Sequence, residues 1–168
     1  MVPVFVINLA RDAERRAAMV AALHDIGLAA EFVPAVDGRA LSDADRAAYD
    51  RRRCLAVYGV DMLPSELGCY LSHYRLCERI VRDGIAAALI LEDDVRLDPA
   101  LPAIVDALLS GPAQDWLVVR LNTLRGRVAN PPSAWWRGRE VAPLPDGHGL
   151  YRLGTHVLGA GGYLIKRA

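Results

Sequence analysis

The stretch AAALILEDDV, residues 86–95, decides the fold that this sequence predicts. An apolar run with Gly84 before it and three consecutive acids after it is typical of a buried strand in a parallel sheet. Glu92, Asp93 and Asp94, called the acidic tip below, then lie at the carboxyl end of the strand. Open α/β sheets bind their ligands at that edge. The stretch therefore predicts both a central strand and a candidate binding edge.

Three adjacent carboxylates repel one another unless a cation or hydrogen-bond donors lie in front of them. Because side chains alternate along a strand, we expect Glu92 and Asp94 on one side and Asp93 on the other, so that two carboxylates can share a divalent metal ion. These residues leave one alternative open, a solvated strand end at which Asp94 or Asp98 caps the next helix.

Hydrophobic periodicity along the rest of the chain alternates between strand and helix. We predict further strands at 2–9, 31–33, 116–121, 151–158 and 161–165, and helices at 13–26, 42–53, 64–83 and 99–109. This alternation predicts an α/β fold with a mainly parallel sheet flanked by helices. Residues 35–38 (AVDG) are a predicted turn in which Gly38 supplies freedom in φ. Residues 122–149 show no period, which predicts an irregular lid or acceptor loop.

Length and charge limit the class of protein. A chain of 168 residues favours a single domain, 1–168. Twenty basic and twenty acidic residues give no bulk attraction to nucleic acid, so no nucleic-acid partner is expected. No apolar segment approaches the roughly 20 residues of a membrane span, and the N-terminus lacks a signal-peptide pattern. We expect a cytoplasmic protein, with peripheral contact at the inner face of a membrane left open.

Several common catalytic motifs are missing. The sequence has neither a GxGxxG after the first strand nor a GxxxxGK[ST], so it offers neither a dinucleotide cradle nor a P-loop. Without a CxxC pair, a zinc site built from cysteine clusters is not indicated. Cys69 and His73 lie one helical turn apart, which supports thiol catalysis only weakly. A structural histidine is the competing interpretation.

Polar residues gather instead at the ends of predicted strands: Asn8, Arg11, Asp37, the acidic tip and His156. All except His156 follow the carboxyl ends of predicted parallel strands, which one crevice can share. This set suits a nucleotide diphosphate, because polar side chains and turn amides hold the nucleoside while a metal bridges the phosphates. Cleaving a sugar–diphosphate bond then needs a Lewis acid on the leaving group and a base for the incoming hydroxyl.

Five blocks in sequence order resemble glycosyltransferase family 25, a family of bacterial lipooligosaccharide glycosyltransferases, often galactosyltransferases, related to collagen galactosyltransferases. The blocks are 6–9 (VINL) with Arg11 and 14–16 (ERR), 35–38 (AVDG), 66–73 (ELGCYLSH), 88–95 (ALILEDDV) and 159–165 (GAGGYLI). The resemblance implies a GT-A-like nucleotide-diphospho-sugar fold, a UDP-sugar donor and inversion at the anomeric carbon. It also implies a saccharide acceptor of lipopolysaccharide or lipooligosaccharide, lipid-linked or free.

The same resemblance implies roles for individual residues. The acidic tip resembles the family's DxD motif, so that Asp94 would ligate Mn²⁺ or Mg²⁺ and Glu92 would face the ribose or a metal-bound water, with His156 as a further metal ligand. Residues implied at the donor nucleotide are Asn8, Leu9, Arg11, Asp37, Glu92 and Asp93. Candidate catalytic residues are Asp94, Glu66 and His73, with Glu66 presented to the donor sugar by the start of its helix.

Two departures from the family pattern leave alternatives open. Family members commonly continue beyond the block 159–165, whereas this chain stops at Ala168, which favours a short member or a C-terminally truncated chain. The catalytic base is unassigned, with Asp115 and Asp146 as candidates. A catalytically silent nucleotide-sugar binding module is one alternative function. A receiver-type signalling domain is another, since LILEDD also resembles the first strand and acidic pair of response regulators.

Overall fold

The computed structural model describes residues 2–111, 113–121, 138–154 and 159–167. Its strands are β1 (Val4–Asn8), β2 (Glu31–Pro34), β3 (Ala87–Glu92), β4 (Val118–Arg120), β5 (Gly138–Pro143), β6 (Gly149–Leu153) and β7 (Gly162–Lys166). Its α-helices are α1 (Ala13–Asp25), α2 (Asp43–Ala47), α3 (Arg51–Tyr58), α4 (Pro64–Arg82) and α5 (Leu101–Ser110). Among the described residues, no helix is both long enough and apolar enough to cross a membrane.

Five strands form one sheet in the order β2-β1-β3-β7-β4, while β5 and β6 pair separately. β1 runs parallel to β2 and to β3, whereas β7 runs antiparallel to both β3 and β4. The predicted α/β class is confirmed, and the sheet is mixed because β7 reverses direction between β3 and β4. In the parallel part, Ile7 pairs with Glu92 and Asn8 with Pro34, so three strands end at one edge.

The strand directions also exclude the receiver-domain alternative. Receiver domains have a doubly wound parallel sheet with the order 2-1-3-4-5. Here the antiparallel strand β7 lies directly beside β3, and the acid-bearing strand comes third in the chain. The interpretation as a receiver domain is therefore wrong.

Side chains of β1 and β3 are buried on both faces of the sheet, which explains their continuous apolar runs. One face packs against α1 and α5 through Val4, Val6, Leu89 and Leu91, and the other against α4 through Phe5, Ile7, Ala88 and Ile90. Full burial of each large side chain contributes about 1.5–3 kcal/mol. Continued alternation places Glu92 on the α4 face and Asp93 on the opposite face.

The predicted helix 42–53 is two helices. In α2, Ser42 and Asp45 form a reciprocal capping box, with the Ser42 amide donating to Asp45 Oδ2 at 2.8 Å. Asp50 then accepts a hydrogen bond from the Arg53 amide at 2.9 Å and starts α3. A second capping residue inside the polar stretch therefore divides the helix.

Part of the predicted irregular loop is a β-hairpin. β5 and a 3₁₀ turn at Pro145–Gly147 lead into β6, and the pairing runs from Gly138 with Leu153 to Pro143 with Gly149. Nearly all β5 residues are exposed, so the alternation that marks a half-buried strand is missing from their sequence. The remainder of the predicted lid, 122–137, lies outside the described residues.

Candidate functional site

The carboxyl ends of β1 and β3 are joined by a hydrogen bond between two side chains. Asn8 Nδ2 donates to Asp93 Oδ2 at 2.7 Å and also lies 3.3 Å from the carbonyl oxygen of Asp12. Asn8 is 4% exposed and the Asp93 side chain 9%, so water has little access to replace this contact. The contact joins the end of the first strand to the acidic tip.

Arg15, in the first turn of α1, lies between two acids of the tip. Its Nη1 atom is 3.4 Å from Asp93 Oδ1 and 3.4 Å from Asp94 Oδ2. A hydrogen bond to Asp93 and the charge of Asp94 raise the pKa of Arg15. The helix dipole disfavours a cation in a first turn, so the two carboxylates compensate for an otherwise unfavourable position. One positive charge therefore already faces this pair of acids.

The structure groups the acids differently from the prediction. β3 ends at Glu92, so the alternation of strand side chains does not extend to Asp94. Glu92 contacts α4, whereas Asp94 shares Arg15 with Asp93. The acids that face one cation are therefore Asp93 and Asp94, and not the expected pair of Glu92 and Asp94.

The residues predicted at the nucleoside lie on two neighbouring turns. Arg11 Nη1 donates to Asp37 Oδ2, and Asp37 Oδ1 accepts from the Arg39 amide at 2.9 Å. The carbonyl oxygen of Leu9 accepts from the Asp12 amide at 2.9 Å, closing the turn after β1. Because β1 and β2 pair side by side, these turns adjoin. Their role in nucleotide binding stays a prediction.

The turn after β2 packs directly on the start of α4. A methyl group on Gly38 would lie 2.2 Å from the Pro64 carbonyl oxygen, and one on Gly68 would lie 2.7 Å from the Val36 carbonyl oxygen. Ser72 Oγ accepts a hydrogen bond from the Val36 amide at 2.8 Å. Gly38 is therefore required by close backbone approach, and not by the freedom in φ that the sequence suggested.

Glu66 is used at the start of its own helix. Its Oε2 atom accepts a hydrogen bond from the Leu63 amide at 2.8 Å, which satisfies the backbone amide of the N-cap residue of α4. The residue is exposed. This contact explains Glu66 as a helix cap, and its expected role at the donor sugar stays a prediction.

His73 belongs to a half-buried polar chain on the α4 face. Its Nε2 atom lies 3.0 Å from Glu92 Oε1, and its Nδ1 atom lies 3.0 Å from the Tyr163 hydroxyl. The hydrogen bond with His73 lowers the pKa of Glu92 although partial burial of the carboxylate acts in the opposite direction. Desolvation of the sulfur by the protein around it and the nearby charge of Glu92 raise the pKa of the Cys69 thiol to about 11, although the residue as a whole is exposed. A thiol that stays protonated at neutral pH is a poor nucleophile, which counts against thiol catalysis.

The other site candidates lie elsewhere or cannot be placed. The Asp115 side chain is almost fully exposed, and its Oδ2 atom lies 2.8 Å from Arg152 Nη2. Asp146 belongs to an exposed group with Asp98 and His148. His156, the expected third metal ligand, lies outside the described residues.

A cavity of about 1070 Å³ opens on the α5 face of the sheet. Residues at the end of β3, on α5 and on the β5–β6 hairpin line it, among them Leu91, Val95, Leu101, Leu144 and Tyr151. Its wall includes the residues that directly flank the acidic tip along the chain. The cavity therefore offers space next to the residues that flank the acidic tip.

Sequence reasoning gave no individual role to Arg15 or Tyr163, although both fall within the quoted blocks. For Arg15 a usable signal exists, because an arginine near the start of a helix opposes the dipole and indicates a nearby acid. For Tyr163 the sequence carries no such signal. Only the pairing of β3 with β7 brings its hydroxyl to His73.

Comparison with known proteins identifies the family. The model described as Glycosyltransferase family 25 (LPS biosynthesis protein) matches residues 1–168. A glycosyltransferase 25 family member of Anopheles gambiae is 35% identical over 162 residues, which cover 90% of this chain and 26% of the relative. Procollagen galactosyltransferase 1 of Danio rerio is 30% identical over 135 residues, covering 76% of this chain and 22% of the relative.

Some relatives are named as inactive members of the family. The protein of Mus musculus named inactive glycosyltransferase 25 family member 3 is 40% identical over 106 residues, covering 55% of this chain and 16% of the relative. The chain spans about a quarter or less of the length of these three relatives. The family model nevertheless matches from end to end and confirms the resemblance of the sequence blocks, so this chain belongs to glycosyltransferase family 25.

Proposed function

We propose that this chain transfers a hexose, with galactose as the first candidate, from a UDP-sugar to a saccharide of lipopolysaccharide or lipooligosaccharide, inverting the anomeric carbon. Family membership supports sugar transfer, the family description supports the acceptor, and the name of the Danio rerio relative supports galactose. The observation that carries the proposal is the 2.7 Å hydrogen bond between Asn8 and Asp93. It joins the strand end that is predicted to bind the nucleoside to the strand end that is predicted to bind the diphosphate.

In this proposal the nucleoside lies over the turns that follow β1 and β2. Arg11 and Asp37 offer a guanidinium donor and a carboxylate acceptor next to each other. Their side chains are 39% and 33% exposed, so a ligand can reach both groups. A carboxylate at this position suits the hydroxyl groups of a ribose, which donate hydrogen bonds. Close packing of the second turn on Pro64, and the hydrogen bond that the Val36 amide donates to Ser72 Oγ, hold the Asp37 backbone in place.

A divalent cation, Mn²⁺ or Mg²⁺, fits the acids at the tip. Asp93 and Asp94 offer the hard oxygen ligands that these ions prefer, and both oxygens already converge on one positive charge of Arg15. When bound, such an ion would supply Lewis-acid stabilisation of the diphosphate leaving group. Asn8 holds Asp93 in position, and Asp94 is the more exposed and accessible carboxylate. Glu92 contacts His73 instead, so we assign the ion to Asp93 and Asp94.

We place the acceptor in the cavity on the α5 face. Its wall begins at residues next to the acidic tip, so a sugar bound there lies close to the donor diphosphate. Tyr151 and Trp116 line the same cavity, and aromatic side chains supply apolar contact area together with a polar group. This arrangement brings the two substrates to the same end of β3.

Calorimetric titration of UDP in the presence of Mn²⁺ tests the donor site. Replacement of Asp94 by Asn removes one anionic ligand, and we expect UDP affinity to fall at least tenfold, about 1.4 kcal/mol. Asp106→Asn, an exposed carboxylate on α5, is the matched control and should bind as the wild type does. Unchanged affinity in Asp94→Asn would remove the metal assignment.

A catalytically silent nucleotide-sugar binding module is the second candidate, and the resemblance to relatives named inactive favours it. The two functions differ in turnover. Release of UDP from UDP-galactose and UDP-glucose, measured with and without an oligosaccharide acceptor, separates them. Acceptor-dependent release supports the transferase, whereas UDP binding without any release supports the binding module.

A further inference from the structure

Three potential metal ligands of different chemistry meet on the α4 face of the sheet. Cys69 and His73 lie one turn apart on α4, and Glu92 is the last residue of β3. His73 Nε2 lies 3.0 Å from Glu92 Oε1, and Cys69 Sγ lies 3.6 Å from the same oxygen. The three ligand atoms all lie within 4.8 Å of one another. This group, called the Cys–His–Glu cluster below, is separate from the pair of acids that faces Arg15.

Two of the three separations between these atoms are close to those in the coordination shell of zinc. Zn²⁺ binds thiolate sulfur at about 2.3 Å and imidazole nitrogen or carboxylate oxygen at about 2.0–2.2 Å. In a tetrahedral site these bond lengths put neighbouring ligand atoms roughly 3.3–3.6 Å apart. The observed separations of 3.0 Å and 3.6 Å differ from that geometry by a few tenths of an ångström at most. Small side-chain movements would therefore admit an ion.

The environment of His73 supplies an independent observation. The Tyr163 hydroxyl lies 3.0 Å from Nδ1, and Tyr163 is 8% exposed. Metal-binding histidines typically have the ring nitrogen that faces away from the metal held by such a partner, which fixes the orientation of the ring. Here that partner leaves Nε2 directed at Glu92 and Cys69. A fixed ring with its second nitrogen turned toward a thiol and a carboxylate is the arrangement that a metal site requires.

The set of ligands also decides which metal is expected. Thiolate and imidazole favour a borderline-soft ion such as Zn²⁺ over Mg²⁺ or Mn²⁺, which prefer oxygen ligands. Cys69 is exposed, so an ion can enter from solvent and one coordination position can stay open. We propose that Cys69, His73 and Glu92 bind one Zn²⁺ ion that connects α4 to the end of β3. No step of sugar transfer enters this inference, so it stands apart from the proposed function.

Co²⁺ is the spectroscopic probe for this site, because a thiolate ligand gives a sulfur-to-cobalt charge-transfer band. Titrating the wild-type chain with Co²⁺ should produce that band, and Zn²⁺ should displace it. Cys69→Ser should abolish the band, whereas Cys77→Ser, which removes a half-buried thiol on the same helix, should keep it. Absence of the band in the wild type, or its persistence in Cys69→Ser, would overturn the proposal.

Two further variants separate a metal site from a simple hydrogen-bonded chain. Tyr163→Phe removes the hydroxyl behind His73, and we expect Zn²⁺ affinity to fall about 10- to 100-fold in calorimetry. Unchanged affinity would show that the Tyr163 hydroxyl does not hold His73 as a metal ligand, and would overturn the proposal. Asp94→Asn should leave the cobalt band intact while it weakens Mn²⁺-dependent UDP binding. Loss of the band in that variant would show that the Cys–His–Glu cluster does not bind the metal independently of the acidic pair, and would overturn the proposal of a separate site.

Discussion

The hydrogen bond between Asn8 and Asp93 can be measured as a coupling energy. Asn8→Ala removes a donor 2.7 Å from a carboxylate whose side chain is only 9% exposed. A hydrogen bond to a charged group is worth about 1.5–3 kcal/mol. The second contact, at 3.3 Å to the Asp12 carbonyl oxygen, is longer and adds about 0.5–1 kcal/mol. We therefore expect Asn8→Ala to lower the free energy of unfolding by about 2–4 kcal/mol.

A double-mutant cycle isolates the contact from these other effects. The variants are Asn8→Ala, Asp93→Ala and the double variant, each unfolded in urea and followed by circular dichroism. We expect a coupling energy of about 1.5–3 kcal/mol, because the double variant loses the hydrogen bond only once. A domain with a total stability of about 5–15 kcal/mol stays folded after the single substitutions.

The cycle has a matched control and a clear refutation. Asn8→Ala combined with Asp106→Asn pairs the same substitution with an exposed carboxylate on α5, and the two effects should add. A coupling energy below about 0.5 kcal/mol for Asn8 and Asp93 would lie within the usual error of additivity. That result would show that the ends of β1 and β3 are not joined, and the argument for one shared crevice would fail.

Two further predictions concern the elements that support the site. Gly38→Ala places a methyl group 2.2 Å from the Pro64 carbonyl oxygen. We therefore expect the free energy of unfolding, measured in urea, to fall by about 1–3 kcal/mol or more. A variant as stable as the wild type would refute the close packing of this turn. Hydrogen bonds from Ser42 and the guanidinium group of Arg75 lower the pKa of Asp45 in the folded protein. Ionised Asp45 therefore stabilises the fold at pH values above its pKa in the unfolded chain, which is about 3.9. This stabilisation is lost as the pH falls through the lower pKa of the folded state. Asp45→Asn should therefore be less stable than wild type at neutral pH, and its free energy of unfolding should fall less than that of wild type on acidification from about pH 5 to 3. An equal fall in both proteins, measured by urea unfolding, would contradict this prediction.

Much of the framework follows from local patterns in the sequence. The apolar run at 86–91 and the acids after it place β3 and its carboxyl end correctly, because a strand buried on both faces must be apolar throughout. The long amphipathic stretch that starts at Pro64 likewise predicts α4, because Pro fits a first helical turn. These features depend on neighbours along the chain, so the sequence alone contains the information.

The contacts among the site residues could not be predicted in the same way. The sequence does not indicate which acids lie against Arg15, or that Tyr163 holds His73. Side-chain alternation does not reach Asp94, contrary to the prediction, because β3 ends at Glu92, and the end of a strand depends on where its pairing partners stop. Contacts between residues far apart in the chain come from strand pairing, which a local pattern does not encode.

The sequence by itself therefore determined the α/β class, the central strand, the acidic tip and, through five short blocks, the family. Tertiary structure alone decided the antiparallel direction of β7, the division of the three acids between His73 and Arg15, and the meeting of Cys69 and His73 with Glu92. The physical reason is that backbone periodicity is fixed within a few residues. The partner of a polar side chain, in contrast, depends on how separate strands and helices pack, because each buried polar group takes the partner that the assembled fold brings within reach.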